Sequence, residues 1–269
     1  VQVSQYAETA MQEAIRDGWL YRYGYSRAME SQAAGDPGQD YLTIAEQEGS
    51  LQFVLCDGVS QSYYGDLAAK FIGDRLLDWL SDVGDRQESH DSGLQTSLRR
   101  YLTALTGEAQ TLVRQHHIPP EVPDMLREVL QAKKELGSAA MYCAGRIDLP
   151  NESKPDGRLW LVWQGDIRCR IWNGSAEESK MRFGDRFHTW HQWNTTAGAV
   201  GGMPHVYQDR LVHGGKRGEL LLYSDGLQAL DCMACLTDER LAEIAADEAG
   251  HRSSDDICYL QVMWDFNSR

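Results

Sequence analysis

Positive charge is what this chain is short of: 26 Lys and Arg stand against 40 Asp and Glu, a formal net charge of −14 over 269 residues. The deficit argues against a nucleic-acid partner, because affinity for a phosphate backbone is built from basic surface. An acidic, well-solvated exterior accounts for it. No apolar run approaches the ~20 residues of a bilayer span, so no membrane partner is expected. The opening VQVSQYAETAMQEAIRDGW lacks the basic end and apolar middle of a secretory signal, and its mixed amphipathic pattern predicts a helix. No Pro-, Ser- or Gly-rich linker, low-complexity tract or repeat divides the chain, which predicts one domain over residues 1–269. The six cysteines follow no spacing pattern, and Cys56, Cys143 and Cys258 sit inside apolar runs. They read as reduced core thiols of a cytoplasmic protein. Cys232-Met233-Ala234-Cys235 is a lone C-x-x-C. Zinc would want a second ligand pair, and a helical turn with two small side chains explains it more simply than a redox pair.

What is present is a hydrophobic fraction of 42%, enough for a sizeable core, arranged as two groups of strands with helices between them. Strands are predicted at Trp19 to Ser26, Tyr41 to Ala45 and Leu51 to Cys56, with Gly35-Asp36-Pro37-Gly38 as a turn. From Asp66, the residues Ala68, Ala69, Ile72, Leu76 and Leu80 mark one face of a helix. Leu94, Leu98, Leu102, Leu105, Ala109 and Leu112 mark a second helix, and Asp124 to Leu136 a third. The intervening His116-His117 is explained by a helix end, where a favourable dipole interaction suffices. Further strands are expected at Ala139 to Ile147, Leu159 to Trp163, Arg168 to Trp172, Glu219 to Ser224 and Ile257 to Trp264. Helices are expected from Leu227 or later and over Asp238 to Ala249. Asn173 to Gly215 is the least regular stretch, either a functional lid or a packed excursion stapled by Trp190 and Trp193. The fold class that follows is α+β, two packed antiparallel sheets in a β-sandwich with helices outside.

The acids fall where strands give way to loops. Asp40 precedes a strand, Asp57 and Asp225 follow one, Asp166 separates two, and Asp255-Asp256 opens the last. Asp-Gly is ordinary turn chemistry. Three buried strands ending on aspartate ask for more. If these strand ends lie side by side, four or five carboxylates meet in one cleft, where desolvation and repulsion would force protonation. Mn2+ or Mg2+ resolves the conflict, since hard cations take oxygen ligands and keep several waters. Two such ions a few ångströms apart suit in-line attack on a phosphoryl group.

Asp57-Gly58, Gly137-Ser138-Ala139-Ala140, Gly165-Asp166-Ile167-Arg168, Ser224-Asp225-Gly226 and Asp255-Asp256-Ile257 resemble, in order and spacing, the motifs of the metal-dependent, protein phosphatase 2C-like (PPM) family. Gly35-Asp36-Pro37-Gly38-Gln39-Asp40 resembles its bacterial branch, and the likeness spans about residues 20 to 264. The resemblance implies a β-sandwich flanked by pairs of helices, with the metal centre at one end. It implies that Asp57 bridges two metals, that Asp225 and Asp255 complete the first site and the Gly58 carbonyl the second. Asp166 with Asp225 would hold a third ion, Asp40 would act through water, and residues 173–215 would form the flap. The implied activity is hydrolysis of phosphoserine and phosphothreonine on proteins by metal-activated water, without a phosphoenzyme. The implied partners are a phosphoprotein substrate and a serine/threonine kinase in the same signalling system.

The chain departs from the pattern in three places. Gly35 stands where the family commonly has a phosphate-binding arginine, and Arg27 is the nearby candidate to replace it. Val59 stands where many eukaryotic members have a histidine, and Val59-Ser60-Gln61-Ser62-Tyr63-Tyr64-Gly65 replaces a glycine-rich turn. A hairpin between the strand ending near Arg27 and the strand after Asp40 would bring the two together. Two other functions fit less well: a pseudo-phosphatase that signals by docking, favoured by the missing arginine, and a two-metal nuclease, disfavoured by charge.

Overall fold

The computed structural model describes residues 1–16, 18–47, 49–84, 91–212, 217–233, 237–251 and 254–266. The chain begins with strands β1 (Thr9–Arg16) and β2 (Trp19–Ser26), a short helix α1 (Met29–Ala34), and strands β3 (Tyr41–Gln47) and β4 (Ser50–Gly58). Four helices follow: α2 (Gly65–Gly84), α3 (Asp91–Ala104), α4 (Thr106–Gln115) and α5 (Asp124–Leu136). Then come β5 (Ala139–Asp148), β6 (Arg158–Gln164), β7 (Arg168–Asn173) and the short β8 (Ala176–Glu177). Helix α6 (Ser179–Phe183) precedes β9 (Gln192–Asn194), β10 (Gly198–Val200), β11 (His205–Asp209) and β12 (Arg217–Tyr223). A 3-10 helix (Asp225–Cys232), α7 (Asp238–Ala249) and β13 (Ile257–Asp265) complete it.

The strands form two antiparallel sheets, ordered β1-β2-β13-β12-β7-β8 and β10-β9-β5-β4-β3, with β6 joining β5 to β11 in the second. Three apolar clusters explain why so many strands read as unbroken hydrophobic runs. Leu220 and Leu222 of β12 and Leu260 of β13 meet Leu42, Phe53 and Leu161 between the sheets. On the outside of the second sheet, Val54 and Ala144 pack under Ala68, Ile72 and Leu76 of α2 and Leu98 of α3. On the outside of the first, Leu221 and Tyr223 pack under Leu227, Leu241 and Ile244. Alternate residues of β12 therefore face opposite apolar layers, as expected of a strand buried on both sides. Leu222 is fully buried, and Leu222→Ala is expected to destabilise the protein by about 2–5 kcal/mol in urea unfolding, without altering metal affinity.

Several elements differ from the sequence expectation. The opening stretch is an edge strand, not a helix: β1 pairs with β2 from Thr9 to Arg16, and that pairing overrides the helix propensity of its Ala, Met, Gln and Glu. The predicted second helix is two, α3 and α4, parted at Leu105; Val113 is buried in place of Leu112, as the face drifts after the break. The expected hairpin between β2 and β3 is absent. β2 pairs with β1 and β13 in one sheet while β3 pairs with β4 in the other, so the chain from Arg27 to Asp40 crosses between sheets. The irregular stretch 173–215 carries more structure than expected. Its β9, β10 and β11 extend the second sheet, and residues 213–215 lie outside the described residues.

Candidate active site

Each acid of the candidate site is delivered by a strand end, and a small residue beside it fixes where that end goes. Ser224 is buried; its backbone N–H donates to the Cys258 carbonyl, and its Oγ accepts from the Cys258 N–H at 2.9 Å. This pins the end of β12 to the start of β13, so Asp225 and Asp255 emerge from abutting strand ends. Gly226 then lets the chain pass Asp256, since a Cβ there would lie 2.1 Å from the Asp256 carbonyl oxygen. Gly58 works the same way at the end of β4, where a Cβ would come within 2.5 Å of the Gly65 backbone. The glycines of the two Asp-Gly pairs are thus close-approach residues, and the aspartates are left facing the same opening.

That opening is a cleft of about 640 Å3 at one end of the sandwich, lined by Asp57, Gly58, Asp166, Asp225 and Asp255. Four of the predicted aspartates and the predicted glycine are brought together. Asp40 does not line the cleft; it is buried, and its Oδ2 finds no hydrogen-bond donor among the described residues. Arg27 is placed elsewhere: its guanidinium holds Glu8 at 2.8 Å and the Asp36 carbonyl at 3.0 Å, and it is not part of the cleft wall.

Sequence reasoning missed the role of Asp256. Its carboxylate accepts the backbone N–H of Ala28 at 2.6 Å and that of Gln39, clamping both ends of the crossing segment to the start of β13. The loop Val59 to Gly65 was legible only as a departure. The Val59 and Tyr63 N–H groups donate to the Ala139 and Gly137 carbonyls, Ser62 Oγ accepts from Ala139, and Ser138 Oγ donates to the Tyr64 carbonyl. Tyr63 is buried with its hydroxyl 3.0 Å from His116 Nδ1, which gives that histidine a structural partner. Tyr64 has φ of 44°, alone among the described non-glycine residues in the left-handed region. A strained residue held by neighbours on both sides marks a rigid rim. Thr189, Gln192 and Asn194 also line the cleft, from the 173–215 stretch; no sequence signal singled them out. Trp193 there is buried and donates to the Leu102 carbonyl, so it acts as a staple, while Trp190 stays exposed.

The electrostatics show the conflict anticipated from sequence. Burial first, then the carboxylates of Asp225, Asp166 and Asp255, push the Asp57 carboxyl well above the usual range. Burial, then Asp57 and Asp256, do the same to Asp40. Asp225 is pushed up to about 6 by burial and by Asp255 and Asp166. Asp166 has a counter-ion of its own, Arg168 at 3.3 Å. Among the described residues, no three His, Cys, Asp or Glu side chains close into a ready-made ligand cage. The carboxylates surround an open space, near enough to repel one another. That donor set, with the orphaned oxygen of Asp40, fits hard cations that keep part of their hydration and does not fit a closed zinc site. The thiols offer nothing to a metal here: Cys56, Cys143, Cys169 and Cys258 are buried and free. Cys232 is exposed at the end of the 3-10 helix, and Cys235 lies outside the described residues.

Compared with models of known families the sequence matches none, and it matches no curated protein. Solved structures do match. The serine/threonine phosphatase Stp1 from Staphylococcus aureus superposes over 95% of this chain and 96% of its own, with a TM-score of 0.56 and 14% identity. A bacterial serine phosphatase matches over 91% and 97%, with a TM-score of 0.53 and 13% identity. RsbX in complex with magnesium matches over 95% and 100%, with a TM-score of 0.52 and 12% identity. The chain has the protein phosphatase 2C-like fold. The described helices include none long and apolar enough to cross a membrane. Identities this low establish the architecture and leave the chemistry to the residues.

Proposed function

We propose that this chain is a single catalytic domain that hydrolyses phosphoserine and phosphothreonine on proteins with the help of Mn2+ or Mg2+. The observation that carries the reading is the convergence of Asp57, Asp166, Asp225 and Asp255 on one cleft in a fold shared with serine/threonine phosphatases. Asp57 would serve two ions, Asp225 and Asp255 the first, and the Gly58 carbonyl the second. Asp166 with Asp225 would hold a third once Arg168 lets go, and Asp40 would act through water. When bound, paired divalent cations activate water for attack on phosphorus and neutralise phosphoryl charge. The protein's part is to hold the carboxylates apart and aimed: Ser224 and Asp256 fix the strand ends, and the rigid Val59 to Gly65 rim shapes the entrance. A cytoplasmic location and a partner kinase belong to the same reading.

The test is hydrolysis of p-nitrophenyl phosphate and a phosphothreonine peptide with Mn2+, Mg2+ or EDTA. Turnover with either ion and its loss in EDTA are expected, because the ligands are all oxygens. Full activity in metal-free protein, or a zinc requirement, would overturn the mechanism. A metal-retaining pseudo-phosphatase is the second reading, favoured by Gly35 in the arginine position and by the engagement of Arg27 with Glu8. Mn2+ binding without turnover on any phosphosubstrate would select it.

A further inference from the structure

A phosphomonoester entering this cleft meets four carboxylates on a chain of net charge −14, so an anionic substrate is opposed wherever metal does not offset the charge. Arginine would be the natural counterpart, but the nearby arginines are committed. Arg27 is held by Glu8, and Arg168 by Asp166 at 3.3 Å and Asp231 at 3.5 Å. Among the described residues, the cation that lines the cleft is Lys133, in the last turn of α5. It makes no ion pair with any described residue. Its Nζ donates to the Ser60 carbonyl at 3.3 Å, a long bond that uses one of three N–H groups. Ser60 belongs to the rigid rim that follows Asp57-Gly58, so the ammonium is held beside the loop next to the acids. Its neighbour Lys134 turns the other way, donating to the His116 carbonyl at 2.6 Å and lying over the Tyr63 ring. The two lysines share a helix end, where both would favour the dipole, yet they serve different surroundings.

The geometry points to Lys133 as the residue that binds the phosphoryl group of the substrate, taking the place of the absent arginine. This rests on the phosphatase reading. The ammonium offers its two remaining N–H groups to phosphoryl oxygens, and no covalent bond changes at it.

Three variants separate this role from a structural one. Lys133→Met keeps the aliphatic stem and removes the charge, Lys133→Arg keeps the charge, and Lys134→Ala removes the adjacent charge from the same helix end. Lys133→Met is expected to raise KM for p-nitrophenyl phosphate and for a phosphothreonine peptide about tenfold, with kcat changed less than about threefold. Lys133→Arg should recover most of the loss, and Lys134→Ala should leave KM near parental. Binding of inorganic phosphate to Mn2+-loaded protein, followed by calorimetry, should weaken about tenfold in Lys133→Met. This arm stands even if the parent proves unable to turn over any phosphoester. Unchanged KM and phosphate affinity in Lys133→Met would overturn the assignment. So would equal effects of Lys133→Met and Lys134→Ala, a KM change confined to peptides with acidic flanks, or a parent that binds no phosphate.

Discussion

Asp57→Asn is expected to lower Mn2+- or Mg2+-dependent turnover at least about a hundredfold while leaving the protein folded. The carboxylate lies at the end of β4, faces the cleft, and has its pKa pushed well above the usual range by burial and then by Asp225, Asp166 and Asp255. Two opposite consequences follow for stability. In EDTA the charge on Asp57 is unfavourable, so the asparagine variant should melt at or above the parental temperature. With Mn2+ present the order should reverse, because the parent gains more from a ligand bound only by the folded state. The pH dependence has a definite sign. A carboxyl whose folded pKa is raised contributes stability at low pH that is lost as pH rises through the folded value. The metal-free parent should therefore lose ground to Asp57→Asn on going from acid to neutral pH. Asp225→Asn should behave alike, with the change between the ordinary value of 3.8 and about 6. Its effect should be smaller, since Asp225 is exposed on one side and screened by solvent. Melting curves with and without Mn2+ at several pH values check all of this. Near-parental turnover in either variant would show the ligand assignment to be wrong.

Asp57, Asp166 and Asp225 were legible in the sequence because each is punctuated by a glycine. An apolar run ending on Asp-Gly, or a Gly-Asp between two strands, marks a strand end that carries charge, and the sandwich gathers those ends on one side. The three-layer burial of β12 was legible for the same reason, as an unbroken ELLLY run. The substrate side was not. Gln192 and Asn194 reach the cleft because β9 pairs with Ala139 and Ala140 of β5, a long-range contact with no local periodicity to announce it. Arg27 lies near Gly35 in sequence, and nearness along the chain does not say which sheet a strand joins. Lys133 stood in a predicted helix as one of two adjacent lysines. Only the approach of α5 to the rim loop tells them apart. Asp256 was visible as the second acid of a pair, but its clamp on Ala28 and Gln39 depends on the chain crossing between sheets.

Gly226→Ala should be strongly damaging to the site. The new Cβ would sit 2.1 Å from the Asp256 carbonyl oxygen and 2.9 Å from its carbon, both backbone atoms with no side-chain rotamer to yield. Neither side is free to move. The Asp256 carboxylate is held by Ala28 and Gln39, and Ser224, two residues before Gly226, is bonded to Cys258 through both its N–H and its Oγ. The strain must part the start of the 3-10 helix from the start of β13, the two segments that carry Asp225 and Asp255. A loss of roughly 1–3 kcal/mol in urea unfolding is expected from the overpacking. The apparent affinity for Mn2+ should fall about tenfold or more, since ligands displaced together cannot both be recovered by one rotamer change. Gly107→Ala is the contrast. Nothing lies within 4 Å of a Cβ at that position of α4, so alanine should leave metal affinity alone and stabilise by up to ~1 kcal/mol through helix propensity. Unfolding curves and Mn2+ titrations of the two variants decide the matter. Should Gly226→Ala match the parent in both, the tight contact between Asp225-Gly226 and Asp256 would not be what sets the spacing of the acids.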